Sequence, residues 1–438
     1  VATTEQVRIR TRGYERRRRE LELLIVADIV TIFAWVLGFY GLHPNGRIDI
    51  ADPWLAIVVL VPIGAHIANR YLASDADAIL LPIAALLNGL GFVMIGVLDP
   101  PQAHLQAIWT LVSVIAYVAC IYFIRNPDSL DRFRYILAIV GIGLLFSPLL
   151  PGVGEDIGGE RLWVHLGSLS FQPVEIAKLL LAIFLTSLIV EKRDLLARLR
   201  GGGLRRFGPI ALTFGIALAI MAAEKDVGFA LLIFITFVLI MWIGTGNKAY
   251  LFFGAVTFVL GLVVGGLVLP QVHQRITVWL DPWKYAATSG YQLIQAQYAF
   301  GLGGLSGSGL GLSHPTVPVA TSDFIFAAFG QELGLLGTSA IIISFLLLVG
   351  AGLRIALRAH GEFSSLLAMA LTVIVALQTF FILAGVIRVL PLTGMTLPFL
   401  AYGGSSLLAN YILLAILMRI SHRSNQYGDQ RESNGNAA

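Results

Sequence analysis

Runs of roughly 17–25 consecutive apolar residues follow one another along nearly the whole chain, the length a helix needs to cross a hydrocarbon core of about 30 Å. Inside lipid, backbone hydrogen bonds close only within helices or within a sealed barrel. The runs are continuously apolar and do not alternate, so helices are expected and a barrel is not. Only 13% of the 438 residues are charged, about half the share of a soluble domain. The expected fold is an all-α, polytopic membrane helical bundle.

About twelve spans are read, near 21–41, 54–72, 78–97, 105–124, 133–150, 173–190, 209–223, 227–244, 248–269, 323–350, 363–386 and 397–419. Basic clusters at Arg8 to Arg19, Arg125 to Arg134, Lys192 to Arg206 and Arg354 to Arg358 fall between alternate pairs of runs, as the positive-inside rule requires. The basic tail of residues 1–20 then lies in the cytoplasm, and an even number of spans returns the C-terminus there. The formal charge of +4 therefore sets orientation and is not a nucleic-acid footprint. No cleavable signal sequence is apparent, because the first apolar run is long and follows a basic tail. The tail at 423–438 is polar and expected to be disordered. Cys120, the one cysteine, sits in an apolar run and forms no internal disulfide. The two longest connections, 151–172 and 270–322, both fall outside, and connections of that length are usually functional or disordered.

Polar residues in and beside the spans are the candidates for chemistry. "GGERLWVHLGSLSFQPVEIAK" enters the sixth span with Arg161, Trp163 and His165 at alternating positions. Gln172-Pro173 marks a helix start, and Glu175 and Lys178, three residues apart, share one helix face and are close enough to pair. Ionisable groups in a membrane helix usually face the bundle interior and mark a functional pathway; the blander reading is a structural ion pair beneath an interfacial aromatic belt. "AAEKDVGFA" places Glu224, Lys225 and Asp226 in a connection with almost no loop, either as a simple polar turn or as part of a site. Asp323 and Glu332, in "SDFIFAAFGQELG", enter the tenth span, with one or both turned inward. "RVLPLTGMTLPFLAYGGSSLLANY" gives an irregular backbone at membrane depth, tolerated where it is buried in protein or lines a cavity; a packing motif of small residues is the alternative. In the longest outer loop, "LDPWKYAATSGYQLIQ" (280–295) carries an acid, a base, two tyrosines, two glutamines and a tryptophan. A Walker A loop, an HExxH motif and a Cys/His ligand set are all missing, which argues against ATP-driven transport within the chain.

Four of these stretches, in order and spacing, resemble motifs of the SEDS family (shape, elongation, division and sporulation), and the likeness runs from about Ala78 to His422. "RLWVHLGSLSFQPVEIAK" resembles R-R-W-L-x-L-G-x-x-x-F-Q-P-S-E-x-x-K, and "EKDVGFAL" resembles Q-P-D-L-G-T-A. "SDFIFAAFGQELGLLG" is similar to T-D-F-I-F-A-x-x-x-E-E-L-G, and "LPLTGMTLPFLAYGGSSLL" to P-x-T-G-x-x-L-P-F-x-S-Y-G-G-S-S-L. The resemblance implies a glycosyltransferase of the bacterial cytoplasmic membrane that polymerises lipid II into glycan strands outside. It also implies a class B penicillin-binding protein as crosslinking partner. Arg161, Trp163, Gln172, Glu175, Lys178, Asp226, Asp323 and Glu332 fall on family motif positions and are expected to bind substrate, with Lys284, Tyr291 and Gln292 of the outer loop. The family usually has ten spans, so 21–77 is read as two additional N-terminal helices ahead of a core at 78–422.

The departures bear on the chemistry. Val174 replaces a serine, Lys225 a proline and Ala401 a serine of the family pattern. Against D-P-W-x-D-P-x-G-x-G-Y-Q, "DPWKYAATSGYQ" keeps Asp281, Pro282, Trp283, Gly290, Tyr291 and Gln292, but Tyr285 stands where the aspartate credited with catalysis is expected. Transfer of a sugar from a diphosphate carrier needs a base for the attacking hydroxyl and cations for the departing diphosphate. Arg161, Lys178 or Lys284 could supply the charge; a divalent cation could share that task, although no ligand cluster is evident. A phenol, protonated at neutral pH, does not replace a carboxylate base, which leaves Asp281 as the loop's candidate. Its other reading is an Asx-Pro turn that orders the loop. Two rival functions use the same residues: a lipid II flippase, which needs no outer base, and a catalytically silent scaffold for the penicillin-binding protein, which would account for Tyr285.

Overall fold

A computed structural model describes residues 2–43, 52–157, 160–166, 169–197, 203–313 and 317–436. Ser168, the middle of the Lys192 to Arg206 stretch (198–202) and 314–316 of the glycine-rich loop lie outside them. In chain order the helices are α1 (Ala2–Leu42), α2 (Pro53–Leu72), α3 (Leu80–Leu98), α4 (Pro100–Phe123), α5 (Arg134–Phe146), α6 (Val174–Glu191), α7 (Arg193–Ala197) and α8 (Gly203–Glu224). They continue as α9 (Val227–Thr245), α10 (Ala249–Val268), α11 (Pro270–Leu280), α12 (Tyr291–Gly303), α13 (Ile325–Arg358), α14 (Glu362–Val386) and α15 (Gly404–Asn436). Three short antiparallel strands, β1 (Gly154–Ile157), β2 (Glu160–Leu166) and β3 (Leu169–Phe171), are paired in the order β1-β2-β3 between α5 and α6. The chain forms two compact units: residues 1–127, 295–368 and 396–438, and residues 128–294 with 369–395.

Local sequence sets several helix starts. Asp52 and Asp99 each precede proline, and each carboxylate accepts the backbone N–H of a residue in the first turn, Trp54 at 2.8 Å and Gln102 at 3.3 Å. An aspartate N-cap supplies an acceptor that a helix start lacks, and proline in the first turn forfeits no bond. In the first unit α3 is buried along most of its length, and α1 and α4 pack against it. The helix α13 breaks at Gly334, whose φ of 65° is open to glycine and strained for other residues.

The two N-terminal helices are joined to the rest of the first unit by buried charge. Glu20, fully buried on α1, pairs with Arg17, meets His66 Nδ1 of α2 at 2.7 Å and accepts from Asn69 Nδ2 at 3.3 Å. Tyr117 of α4 donates to Asn69 Oδ1 at 2.9 Å, and Arg17 also donates to the carbonyls of Ala76 and Asp77. The segment expected as an added N-terminal pair is therefore packed within one compact unit with α3, α4 and α15.

In the second unit α6 is the helix buried on nearly every side, flanked by α5 and α9. Asp226 caps α9 by accepting from Phe229 N at 3.0 Å, and Gly246 in the left-handed region ends it. By contrast α10 buries almost nothing.

Helices occupy all twelve expected positions, and among the described residues ten helices are long and apolar enough to cross a membrane. Of the other two, α6 carries Glu175, Lys178 and Glu191, and the described part of α8, Gly208–Glu224, is a shorter apolar helix. Three local features differ from what the sequence leads one to expect. The basic tail is helical from Ala2, continuous with the first span. The outer connection at 151–172 is a small sheet in which Arg161, Trp163 and His165 alternate along β2. The polar C-terminal tail continues α15 through Asn436; its first turns are fixed by Asn425 Nδ2 donating to Asp75 O at 2.7 Å and by Tyr427 stacking on His360.

Replacing Glu20 with alanine leaves Arg17 buried without its counter-charge, and should cost about 3–5 kcal/mol of stability. Arg18→Ala, which breaks the exposed pair with Glu22, should stay within about 1 kcal/mol. Thermal unfolding of the two purified variants compares them; equal losses would show that burial of the Glu20 network contributes nothing.

Candidate functional site

The second unit gathers most of the polar residues singled out in the sequence. Gln172 is buried at the turn into α6, and its carbonyl accepts from Glu175 N at 3.3 Å. One turn later Lys178 pairs with Glu175, donates to Gln378 Oε1 of α14 at 2.7 Å, and stands 5.5 Å from the ring centre of Phe229 on α9. Glu175 and Lys178 are 0% and 2% exposed. An ammonium so buried needs a counter-charge, and the fork of carboxylate, amide and aromatic face supplies it. Gln378 had a sequence signal, a polar residue in the apolar run of the eleventh span; Phe229 had none.

Asp226 joins this group through Phe229, whose N–H it caps and whose ring faces Lys178. The connection is a tight turn: Lys225 adopts φ 65°, and Asp226 N donates to Met221 O at 2.9 Å. Beside it Glu224 is 3% exposed, with Oε1 lacking a hydrogen-bond partner among the described residues. Lys178 and Thr236 are the polar members of a small, otherwise apolar cavity of about 10 Å³, room for roughly one water molecule, lined by Leu181, Leu185, Phe214 and Leu232 among others. Arg161 is exposed on β2, and Trp163, paired in register with Glu155, is half-buried.

Asp281 to Gln292 form a second group in the same unit. The stretch is a closed loop built on backbone: Tyr285 N donates to Pro282 O at 3.0 Å, and Tyr285 O accepts from Thr288 N at 3.0 Å and Gly290 N at 2.9 Å. A side-chain carbon at Gly290 would lie 2.3 Å from Pro282 O, so only glycine fits there. Asp281 ends α11, is exposed, and its Oδ1 lies 3.4 Å from Lys284 N. Lys284 is exposed beside the Tyr285 ring; Tyr291 is exposed and Gln292 half-buried at the start of α12. The segment 386–395 touches both groups: Thr393 O packs against Gly228 at the start of α9 and accepts from Arg275 NH1 of α11 at 3.0 Å.

Asp323 and Glu332 belong to the first unit. Asp323 is half-buried ahead of α13. Glu332 is fully buried, but both oxygens are occupied: Oε1 accepts from Ser313 Oγ at 2.9 Å and Oε2 from Gly311 N at 2.5 Å. Its carboxylate thus holds the glycine-rich loop 303–313. Among the described residues no three His, Cys, Asp or Glu side chains are grouped to hold a metal ion.

Lys178→Met strands Glu175 in an apolar setting and should lower stability by about 3–5 kcal/mol. Combining it with Glu175→Gln removes both charges and should recover most of that loss. Denaturant unfolding of the single and double variants measures the coupling; additive losses would mean that the pair is not the unit of stability.

Residues 80–426 match the family model of FtsW, RodA and SpoVE, described as cell cycle protein. Peptidoglycan glycosyltransferase RodA of Mycobacterium tuberculosis is 39% identical over 426 residues, covering 93% of this chain and 91% of its own. Stage V sporulation protein E of Bacillus subtilis is 33% identical over 369 residues, covering 80% and 98%. In fold, the chain is similar to the rod shape determining protein RodA of Thermus thermophilus, at 24% identity and a TM-score of 0.59, over 81% of this chain and 98% of that one. A chain of a peptidoglycan synthase complex, described as coordinating polymerisation and crosslinking, aligns with a TM-score of 0.64 at 24% identity, over 80% and 98%. By the extent of these matches, with the motif residues of α6 and α9 in place, the chain belongs to the FtsW/RodA/SpoVE family, the SEDS proteins.

Proposed function

We propose that this chain is a peptidoglycan glycosyltransferase that polymerises lipid II into glycan strands at the outer face of the cytoplasmic membrane. The observation that carries the proposal is the group at α6 and α9: a buried, paired cation on a family motif position, in a chain 39% identical to a peptidoglycan glycosyltransferase over nearly its whole length. Transfer from a lipid-linked diphosphate needs positive charge for the leaving group. Both termini lie in the cytoplasm, which places the loops 151–172 and 270–322 outside. Asp281 is the base that takes the acceptor hydroxyl proton, with Lys284 and Arg161 available to the diphosphate. Asp226 is the next carboxylate in line. A crosslinking penicillin-binding protein of class B is the partner, a reading supported by the likeness to a chain from a complex that couples polymerisation with crosslinking.

Purified protein given lipid II should make glycan strands, and Asp281→Asn should slow polymerisation by about 10²–10⁴-fold with expression unchanged. Full activity of Asp281→Asn would move the base to Asp226. No polymer from the native protein with its partner, but polymer from Tyr285→Asp, would favour the scaffold; movement of lipid II across liposomes without polymer would favour a flippase.

Orientation has its own test. In a Cys120→Ala background, Ser168→Cys and Ser306→Cys should react with an impermeant thiol reagent added to intact cells. Reaction at either only after the cytoplasmic face is opened would overturn the topology and the outer site with it.

A further inference from the structure

Among the described residues, Arg388 is one of four non-glycine residues with positive φ, at 63°. An L residue holds that conformation only where its surroundings impose it, and such positions cluster at functional sites. The contacts that impose it are reciprocal. Arg388 Nε donates to Trp279 O at 3.0 Å and its NH2 to Leu280 O at 2.8 Å, while Trp279 Nε1 donates back to Arg388 O at 3.2 Å. The arginine backbone is itself pinned to the end of α14, with Arg388 N donating to Gly385 O at 3.1 Å and Val389 N to Ala384 O at 2.7 Å.

Trp279 and Leu280 are the last residues of α11, and the next residue is Asp281. The final carbonyls of a helix have no partner within it and carry the negative end of its dipole. A guanidinium meets two neighbouring carbonyls with its planar fork, which an ammonium does not match. One turn back, Arg275 ties α11 to Thr393 O, and that carbonyl packs on Gly228 beside Asp226. The short segment 388–393 therefore holds the exit of α11 and the start of α9 in fixed relation.

We infer that Arg388 is a positioning residue for the reaction: it fixes where α11 ends and so where Asp281 and the loop to Gly290 are held. This rests on the reading that the loop belongs to the polymerising site. Glycine adopts a φ of 63° without strain, so Arg388→Gly removes the guanidinium while relieving the backbone, and its effects are separable from misfolding.

The test combines hydrogen exchange with kinetics on the full chain in detergent, its crosslinking partner present and lipid II as substrate. In Arg388→Gly, amide exchange across 281–290 should rise by about tenfold or more with the unfolding temperature no lower than in the native protein. The turnover number should fall by about 10- to 100-fold with little change in KM. Guanidinium ion added to this variant should restore part of the rate, and Arg388→Lys should lie between the two. Unchanged exchange at 281–290 would overturn the clamp. Raised exchange with full turnover, when Asp281→Asn is inactive, would overturn the positioning role alone. Full turnover in both Arg388→Gly and Asp281→Asn would overturn the assignment of the loop to the site, and the inference with it.

Discussion

Lys178 lies 2% exposed in a helix that is otherwise almost wholly apolar, and an ammonium there costs several kcal/mol unless its charge is answered. The answer comes from three helices at once: Glu175 on α6, Gln378 on α14 and the ring of Phe229 on α9. Meeting that demand brings these helices together at one point. It also fixes the start of α9, because the residue whose ring faces the cation is the one whose N–H Asp226 caps. A helix of apolar residues alone would pack as well with several rotations about its axis; the cation selects one.

The chain reuses one local rule for different ends. Asp-Pro opens α2 and α4 by capping, and the same pair at Asp281-Pro282 starts the single turn that carries Lys284 and Tyr285. In the first two the carboxylate is fully explained by the helix it caps. At Asp281 the corresponding contact is longer, 3.4 Å, the side chain is exposed, and the carboxylate keeps acceptor capacity for a ligand. The loop's other contacts are mostly backbone, with Thr288 Oγ1 also donating to Tyr285 O at 3.4 Å. Arg388, just beyond α14, holds the end of α11 from which this loop starts.

The carboxylates of the two units divide by the same logic. Glu332 matches a family position as well as Glu175 does, yet its oxygens are taken by Ser313 and by the backbone of Gly311. A buried acid satisfied by neutral donors holds a loop; one satisfied by a buried cation holds a charge pair. Motif membership alone does not separate these roles.

The sequence by itself determined the helical membrane fold, because long apolar runs leave the backbone no other way to satisfy its hydrogen bonds in lipid. It determined the helix starts at Asp52, Asp99 and Asp226, which depend on contacts within one turn. It also foretold the Glu175–Lys178 pair, whose members share a face at a spacing of three. Only the tertiary structure decided that Gln378 completes the lysine's shell, 200 residues away, and that Glu332 serves a glycine loop. It alone showed that Arg388 reaches back 109 residues to the end of α11. Those partners lie on different helices, and which face of one apolar helix meets another is set by packing across the whole unit, which no local spacing encodes.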